Sequence, residues 1–222
     1  MDGIEEWTRA QERVIDLVGG LTPEQVAAHV PACPDWTVRD LFSHMVGLGA
    51  DVVAGNEPDD HPEDWTAHQV DARRDHDVAA LVQEWRALTG PLRDWMAEYG
   101  VRPLGDVIIH EQDLRGAVGV PGAQDTPGLA AIRDRFTGRL DAAVADLPPI
   151  ALLGPGWQWV SREAAADDAA VVLRAPDFEF ARALVTRRSA HQLRSWAVLG
   201  DVGPYLAGFA LLGPLPAADL AE

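Results

Sequence analysis

Residues 105–119 form the stretch GDVIIHEQDLRGAVG, in which charged residues interrupt an otherwise apolar helical pattern. A helix turns by about 100° per residue, so residues three, four and seven positions apart share a face. Three ionisable residues then lie along nearly one stripe inside the apolar arc: Asp106, His110 and Asp113. Three other polar residues point to the opposite half: Glu111, Gln112 and Arg115. Because burial of an unpartnered ionisable group is costly, the inward stripe is expected to face a specific partner.

Asp106 and His110 have the i, i+4 spacing that lets two side chains reach one metal ion from the same helix face. Imidazole and carboxylate are ligands that suit zinc and its first-row neighbours. Two ligands are too few, so a third is expected from another helix. Of the seven histidines, His44 is the best placed, because it lies in mid-helix at the edge of an apolar arc. A purely structural hydrogen bond between histidine and aspartate is the alternative.

Hydrophobic periodicity predicts helices over most of the first 147 residues. They lie near residues 4–18, 37–54, 78–95, 103–119 and 128–146. The pattern favours a four-helix bundle with one long, irregular connection (residues 55–76), whose histidines are expected to be solvated: His61, His68 and His76. After Pro148 the pattern changes to short β segments and shorter helices. We therefore predict an α+β protein with domains 1–147 and 148–222, the second a small α+β domain.

The composition excludes several classes of partner and location. A formal net charge of −17 argues against binding to nucleic acids or to anionic membranes, since both would repel the chain. The first twenty residues are acidic and amphipathic rather than basic and then apolar, so no signal peptide is predicted. No apolar run is long enough for a membrane span, and the single cysteine excludes an internal disulfide. A cytoplasmic protein is expected.

Three segments together resemble the mycothiol-dependent maleylpyruvate isomerase family, within the DinB-like metalloenzyme superfamily. The segments are VPACPDWTVRDLFSHMVG (30–47), DVIIHEQDLRGAVGVPG (106–122) and FEFARALVTRRSAHQLRSWAVLGD (178–201). The third is similar to the family's C-terminal domain, where an aromatic residue and an arginine usually precede Gly-Arg-Arg-Ser. Each motif is weak alone, but the three occupy both predicted domains.

The resemblance implies a DinB-like four-helix bundle that holds a divalent metal ion, usually zinc, through His44, Asp106 and His110. The isomerase itself has glutamate at the acidic position, where this chain has the shorter aspartate. The implied cofactors are therefore the metal ion and possibly mycothiol, a low-molecular-weight thiol. Asp113 is expected either to orient His110 or to pair with Arg115 or Arg102.

Asp113 is predicted as a catalytic residue. Arg188 is also predicted as catalytic and Arg187 as a cofactor-binding residue, because two arginines could bind a carboxylate by bidentate hydrogen bonds. The alternative is that both arginines are structural. For Cys33, which lies between two prolines, a structural role is favoured over a nucleophilic one.

The leading functional hypothesis is a metal-dependent enzyme that uses mycothiol for transfer to, or isomerisation of, a small electrophilic substrate. One alternative is a metal-dependent lyase, isomerase or hydrolase that uses no thiol. The other is a non-catalytic binding protein on the same fold.

Overall fold

The structure is a computed structural model that describes residues 1–58 and 63–221 of the chain. These residues form two compact units, Met1–Ala123 and Gln124–Ala221. The first is mostly helical and the second combines helices with a small sheet, so the predicted α+β class is confirmed. Among the described residues, no helix combines the length and the apolar character needed to cross a bilayer. His61, assigned above to a polar connection, lies outside the described residues.

Helices make up most of the first unit. In chain order they are α1 (Gly3–Gly19), α2 (Pro23–Val26), α3 (Val38–Ala54), α4 (Glu63–Asp71), α5 (Val78–Tyr99) and α6 (Pro103–Val118). A short antiparallel ribbon of β1 (His29–Val30) and β2 (Cys33–Thr37) leads into α3. Helices α1 and α3 each pack against both α5 and α6, while α4 packs on α3. The four long helices therefore enclose one core, as their hydrophobic periods predict.

The start of α3 is fixed by a capping box. The Thr37 hydroxyl accepts the backbone N–H of Asp40, and the Asp40 carboxylate accepts the backbone N–H of Thr37. This arrangement satisfies backbone donors that a helix start leaves unpaired. The helix ends at Gly55, whose φ of +71° suits glycine. The segment between these two ends carries His44.

Helix α6 is buried on more sides than its apolar arc predicts. Glu111 and Gln112 are buried at 1% and 2% exposure, although the sequence analysis places them on the opposite half of the helix. Helix α1 packs against α6, and Arg13 of α1 binds the Glu111 carboxylate with two nitrogens. Arg115 pairs with the same carboxylate. The charge is therefore buried because both arginines compensate it.

The second unit contains a four-stranded sheet of order β4-β3-β5-β6. Its elements are α7 (Pro127–Ala143), β3 (Ile150–Leu153), β4 (Gln158–Val160), β5 (Val171–Arg174), α8 (Asp177–Leu184), α9 (Ala190–Ser195) and β6 (Ala197–Leu199). Strands β3 and β5 are parallel, and the two outer pairs are antiparallel. A 3-10 segment at Gly203–Phe209 follows β6. The short β segments and shorter helices expected after Pro148 are present in this unit.

The division between the units falls at Ala123/Gln124, whereas the sequence analysis places the domain boundary at 147/148. The difference is helix α7, which packs against α8 and against the 3-10 segment at Gly203–Phe209. Its apolar side chains are buried in the second unit: Leu129, Ile132, Phe136 and Leu140. Periodicity predicts that a helix has an apolar face, but it does not say which partner covers that face.

Candidate metal centre

Three side chains from two helices meet inside the bundle. His44 comes from α3, and Asp106 and His110 come from α6 one turn apart. Each of the three offers a ligand atom within 4.8 Å of the other two. The Oδ1 atom of Asp106 lies 3.4 Å from Nε2 of His44 and 3.4 Å from Nε2 of His110. The structure thus brings together the three residues that the sequence analysis selects.

The two imidazole rings stand nearly perpendicular, with their centroids 5.3 Å apart. His44 is only 5% exposed, and Trp36 covers one side of its ring at a centroid distance of 5.0 Å. The side chains of Asp106 and His110 keep small openings to solvent, at 16% and 13%. The cluster is therefore mostly shielded from water, and Asp106 and His110 are its more accessible members.

Burial and charge act in opposite directions on the pKa values in this cluster. Burial lowers the pKa of His44, but the hydrogen bond and the negative charge of Asp106 raise it, and the pKa is raised overall. Burial raises the pKa of Asp106, but the charge of His110 and the contact with His44 lower it, and the pKa is lowered overall. Without a metal ion, a proton on an imidazole thus compensates the negative charge of Asp106. A divalent cation can replace that proton.

The outer nitrogens of both histidines are bound to oxygen atoms. Nδ1 of His110 lies 2.8 Å from Oδ2 of Asp113, and Nδ1 of His44 lies 2.7 Å from Oε1 of Gln69. An ionised carboxylate can only accept, so the Nδ1 atom of His110 donates and its Nε2 keeps a lone pair. Imidazoles that bind metals show this arrangement. The donor set of two imidazole nitrogens and one carboxylate oxygen therefore fits a divalent ion.

A second group of possible donors shares His110 with the first. Cys33 of β2 lies with its Sγ atom 3.9 Å from Oδ2 of Asp113, and Cys33, His110 and Asp113 offer ligand atoms within 4.8 Å of one another. In this group the Nδ1 proton of His110 already goes to Asp113. The first group is the better metal site, because its two Nε2 atoms face a carboxylate while their Nδ1 atoms contact oxygen acceptors.

Residues 7–115 match the protein family described as mycothiol maleylpyruvate isomerase N-terminal domain. The match begins in α1, ends in α6 and includes all three donors of the first group. The chain is also 31% identical over 141 residues to the uncharacterized protein Rv0738 of Mycobacterium tuberculosis (strain ATCC 25618 / H37Rv). The aligned residues cover 60% of this chain and 76% of that relative. The uncharacterized protein MT0763 of strain CDC 1551 / Oshkosh gives the same values. This chain belongs to the mycothiol maleylpyruvate isomerase N-terminal domain family.

No solved structure matches the chain significantly. Membership of the mycothiol maleylpyruvate isomerase family agrees with the resemblance noted for the segments at 30–47 and 106–122. The family name points to an enzyme of isomerase type with a thiol and a small molecule as reactants. The third segment, at 178–201, lies beyond the matched residues.

Asp113 makes the contact that the first of its two expected roles, orienting His110, requires. It is 1% exposed and accepts the Nδ1 proton of His110, while Arg115 pairs with Glu111 and Arg102 pairs with Glu57. These contacts favour orientation of His110 over a pairing of Asp113 with either arginine. Its assignment as a catalytic residue stays a prediction.

Arg187 and Arg188 belong to the second unit. Arg188 is fully buried, and its Nε and Nη2 atoms contact the two carboxylate oxygens of Glu179 at 2.6 Å and 3.0 Å. Arg187 is nearly buried and donates to the carbonyl oxygen of Val185 at 3.1 Å. These contacts support the structural alternative, and the catalytic role of Arg188 and the cofactor-binding role of Arg187 stay predictions.

Gln69 is a site residue that the sequence analysis missed. It lies on α4, inside the connection that was expected to be irregular, and it is the buried residue of that helix. Hydrophobic periodicity gives no signal there, because the side chain that faces inward is polar. The neighbouring His68 and the more distant His76 are exposed, as expected.

Proposed function

We propose that this chain is a metal-dependent enzyme that uses mycothiol for transfer to, or isomerisation of, a small electrophilic substrate. The observation that carries the proposal is the meeting of two imidazole Nε2 atoms at one carboxylate oxygen, 3.4 Å from each. Family membership supplies the chemical class. The proposal keeps the cytoplasmic location expected from the sequence.

The donor set of two imidazoles and one carboxylate favours zinc among the divalent ions. Held by three protein ligands, such an ion supplies an open coordination position and lowers the pKa of a thiol, so that the nucleophilic thiolate forms at neutral pH. His44, Asp106 and His110 would hold it. Asp106 would also balance part of the positive charge of the ion, which two neutral histidines cannot do.

The other residues of the site orient these ligands and limit access to water. Asp113 holds the ring of His110 through Nδ1. Trp36 packs beside His44 and closes one side of the cluster with apolar surface. The remaining approach is over Asp106 and His110, the two donors that keep some exposure. The electrophile and the thiol are therefore expected to arrive from that side.

The decisive experiment measures proton release. Zinc-loaded protein in weak buffer is titrated with mycothiol, and about one proton per site is expected because a bound thiol must ionise. The same titration of cobalt-substituted protein is expected to add a charge-transfer absorption from sulfur. The His110→Ala variant, which lacks one donor, serves as the control and should give neither signal.

Absence of both signals at millimolar mycothiol in the metal-loaded protein would overturn the thiol part of the proposal. The metal site would then serve a thiol-independent lyase, isomerase or hydrolase. A chain that binds no divalent ion at all would instead be the non-catalytic binding protein considered from the sequence.

A further inference from the structure

His44 is the donor that comes from a different helix, and its ring is held by a short chain of hydrogen bonds. Its Nδ1 atom lies 2.7 Å from Oε1 of Gln69. The Nε2 atom of Gln69 lies 2.7 Å from Oδ2 of Asp51, which follows His44 by about two turns of α3. Both Gln69 and His44 are buried, so water does not compete for the contact between them.

The charge of Asp51 decides the direction of every hydrogen bond in that chain. An ionised carboxylate can only accept, so the amide NH2 of Gln69 must face Asp51. The amide oxygen of Gln69 then faces His44 and can also only accept. On the other side of the ring, Oδ1 of Asp106 is a competing acceptor, but it lies 3.4 Å from Nε2, whereas Oε1 of Gln69 lies 2.7 Å from Nδ1. The shorter contact favours the neutral imidazole with its proton on Nδ1 and its lone pair on Nε2.

Gln69 reaches His44 because α4 packs unusually close to α3. A Cβ atom on Gly47 would lie 2.6 Å from Cβ of Gln69 and 2.8 Å from Nη1 of Arg73, which is closer than atoms can pack. Glycine at position 47 thus permits this approach. Arg73 in turn donates to the Gln69 carbonyl and binds Glu84 of α5 at 2.6 Å.

The turn after α4 is also tied to α3 directly. Arg39 of α3 donates to the backbone carbonyl oxygens of Arg73 at 2.6 Å and of His76 at 3.1 Å. The end of α4 is therefore tied to α3 through Arg39 and to α5 through Arg73. Such an arrangement holds the Gln69 side chain in one place, where a surface helix tied only by packing would leave it free to shift.

From these contacts we propose that Gln69 is a positioning residue of the metal centre. It fixes the tautomer and the orientation of His44, and Asp51 fixes the direction of the Gln69 amide. This inference rests on the proposed function for its purpose, since a lone pair on Nε2 is what a metal ion requires. The tautomer itself is a property of the metal-free chain and can be measured without any metal.

The test uses nitrogen-15 spectra of the histidine rings in metal-free protein, above the pH at which His44 titrates, together with zinc titrations. The His44→Gln variant identifies the signals of His44. Wild-type protein should show His44 with its proton on Nδ1. Gln69→Leu should lose the single tautomer and bind zinc about 10- to 100-fold more weakly.

Two further variants separate positioning from a loss of packing. Gln11→Leu is the matched control, because Gln11 is equally buried and makes two hydrogen bonds, to the Trp85 carbonyl and from Thr89, away from the cluster. It should keep the tautomer and the zinc affinity. The double variant Asp51→Asn/Gln69→Glu exchanges amide and carboxylate. It reverses the hydrogen bond between positions 51 and 69 but keeps an acceptor oxygen facing Nδ1 of His44, so it should restore both readouts.

A Gln69→Leu protein that keeps the Nδ1 tautomer and matches Gln11→Leu in zinc affinity would overturn the inference. So would a folded double variant that restores neither readout. Wild-type protein with the Nδ1 tautomer but no affinity for divalent ions would overturn the proposed function alone, because Gln69 would still orient His44.

Discussion

Nε2 of His44 on α3 lies 3.4 Å from Oδ1 of Asp106 on α6, so the candidate site joins two helices that are distant in the chain. His44→Ala and His110→Ala should each abolish stoichiometric binding of a divalent ion, whereas Asp106→Glu, the residue of the isomerase, should retain it. Asp106→Asn should keep the fold but weaken binding. The control is His68→Ala, an exposed histidine. Metal analysis of purified proteins decides, and full occupancy in both alanine variants would remove these residues from the ligand set.

The stabilising effect of zinc should increase with pH. The raised pKa of His44 stabilises the metal-free fold below the pKa of an unfolded histidine, about 6.5, and this stabilisation is lost as pH rises through the raised value. The lowered pKa of Asp106 stabilises the fold above about pH 4, and this part is lost as pH falls through the lowered value. Zinc competes with the proton on imidazole. The increase in Tm on adding zinc should therefore be larger at about pH 8 than at about pH 6, and the reverse order would contradict the assignment.

Gly47→Ala should weaken zinc binding although it lies away from the donors. The added methyl group would collide with Gln69 and Arg73, so α4 must move and His44 loses its Nδ1 acceptor. Gly90→Ala on α5 is the matched control, because a Cβ atom there meets nothing within 4 Å. That control should leave binding unchanged and stabilise the fold by about 0.5–1 kcal/mol. Equal zinc affinities in the two variants would show that the close packing at Gly47 does not serve the site.

Glu111→Ala should destabilise the first unit by about 2–3 kcal/mol. This loss is somewhat smaller than the loss from breaking a fully buried ion pair. The change leaves Arg13 and Arg115 without the carboxylate that both bind. Glu5→Ala removes an exposed partner of Arg9 and should cost less than about 1 kcal/mol. Urea unfolding of the two variants measures the difference. Similar losses would mean that the buried carboxylate contributes no more than a surface charge.

Thr186 should show the reverse of the usual preference for alanine over glycine. Its φ is +61°, and its hydroxyl donates to the Phe209 carbonyl and accepts the N–H of Leu212. Thr186→Ala loses these hydrogen bonds but keeps the strained backbone, so we expect a loss of about 2 kcal/mol. Thr186→Gly also relieves the strain and should be about 1 kcal/mol more stable than Thr186→Ala. Chemical denaturation of both variants provides the comparison, and a more stable alanine variant would refute this account.

The sequence predicts the face of each helix better than the partner of that face. The stripe of Asp106 and His110 follows from helical geometry, and His44 follows from its place in a second amphipathic helix. Gln69 could not be predicted, because α4 buries a polar side chain and shows no apolar period. The partner of α7 could not be predicted for the same reason, and its apolar residues are covered within the second unit. In the third segment, Thr186 has a left-handed backbone, which the sequence does not reveal.

The three α6 residues Asp106, His110 and Asp113 act together only because they keep a fixed spacing along one helix. Each added or lost residue between positions 106 and 113 would rotate the later side chains by about 100° and shift them by about 1.5 Å. One such change between Asp106 and His110 would separate these two donors around the helix while leaving every donor in the chain. Substitutions can therefore accumulate along this helix during evolution, whereas insertions and deletions between these positions should be eliminated by selection wherever the site is used.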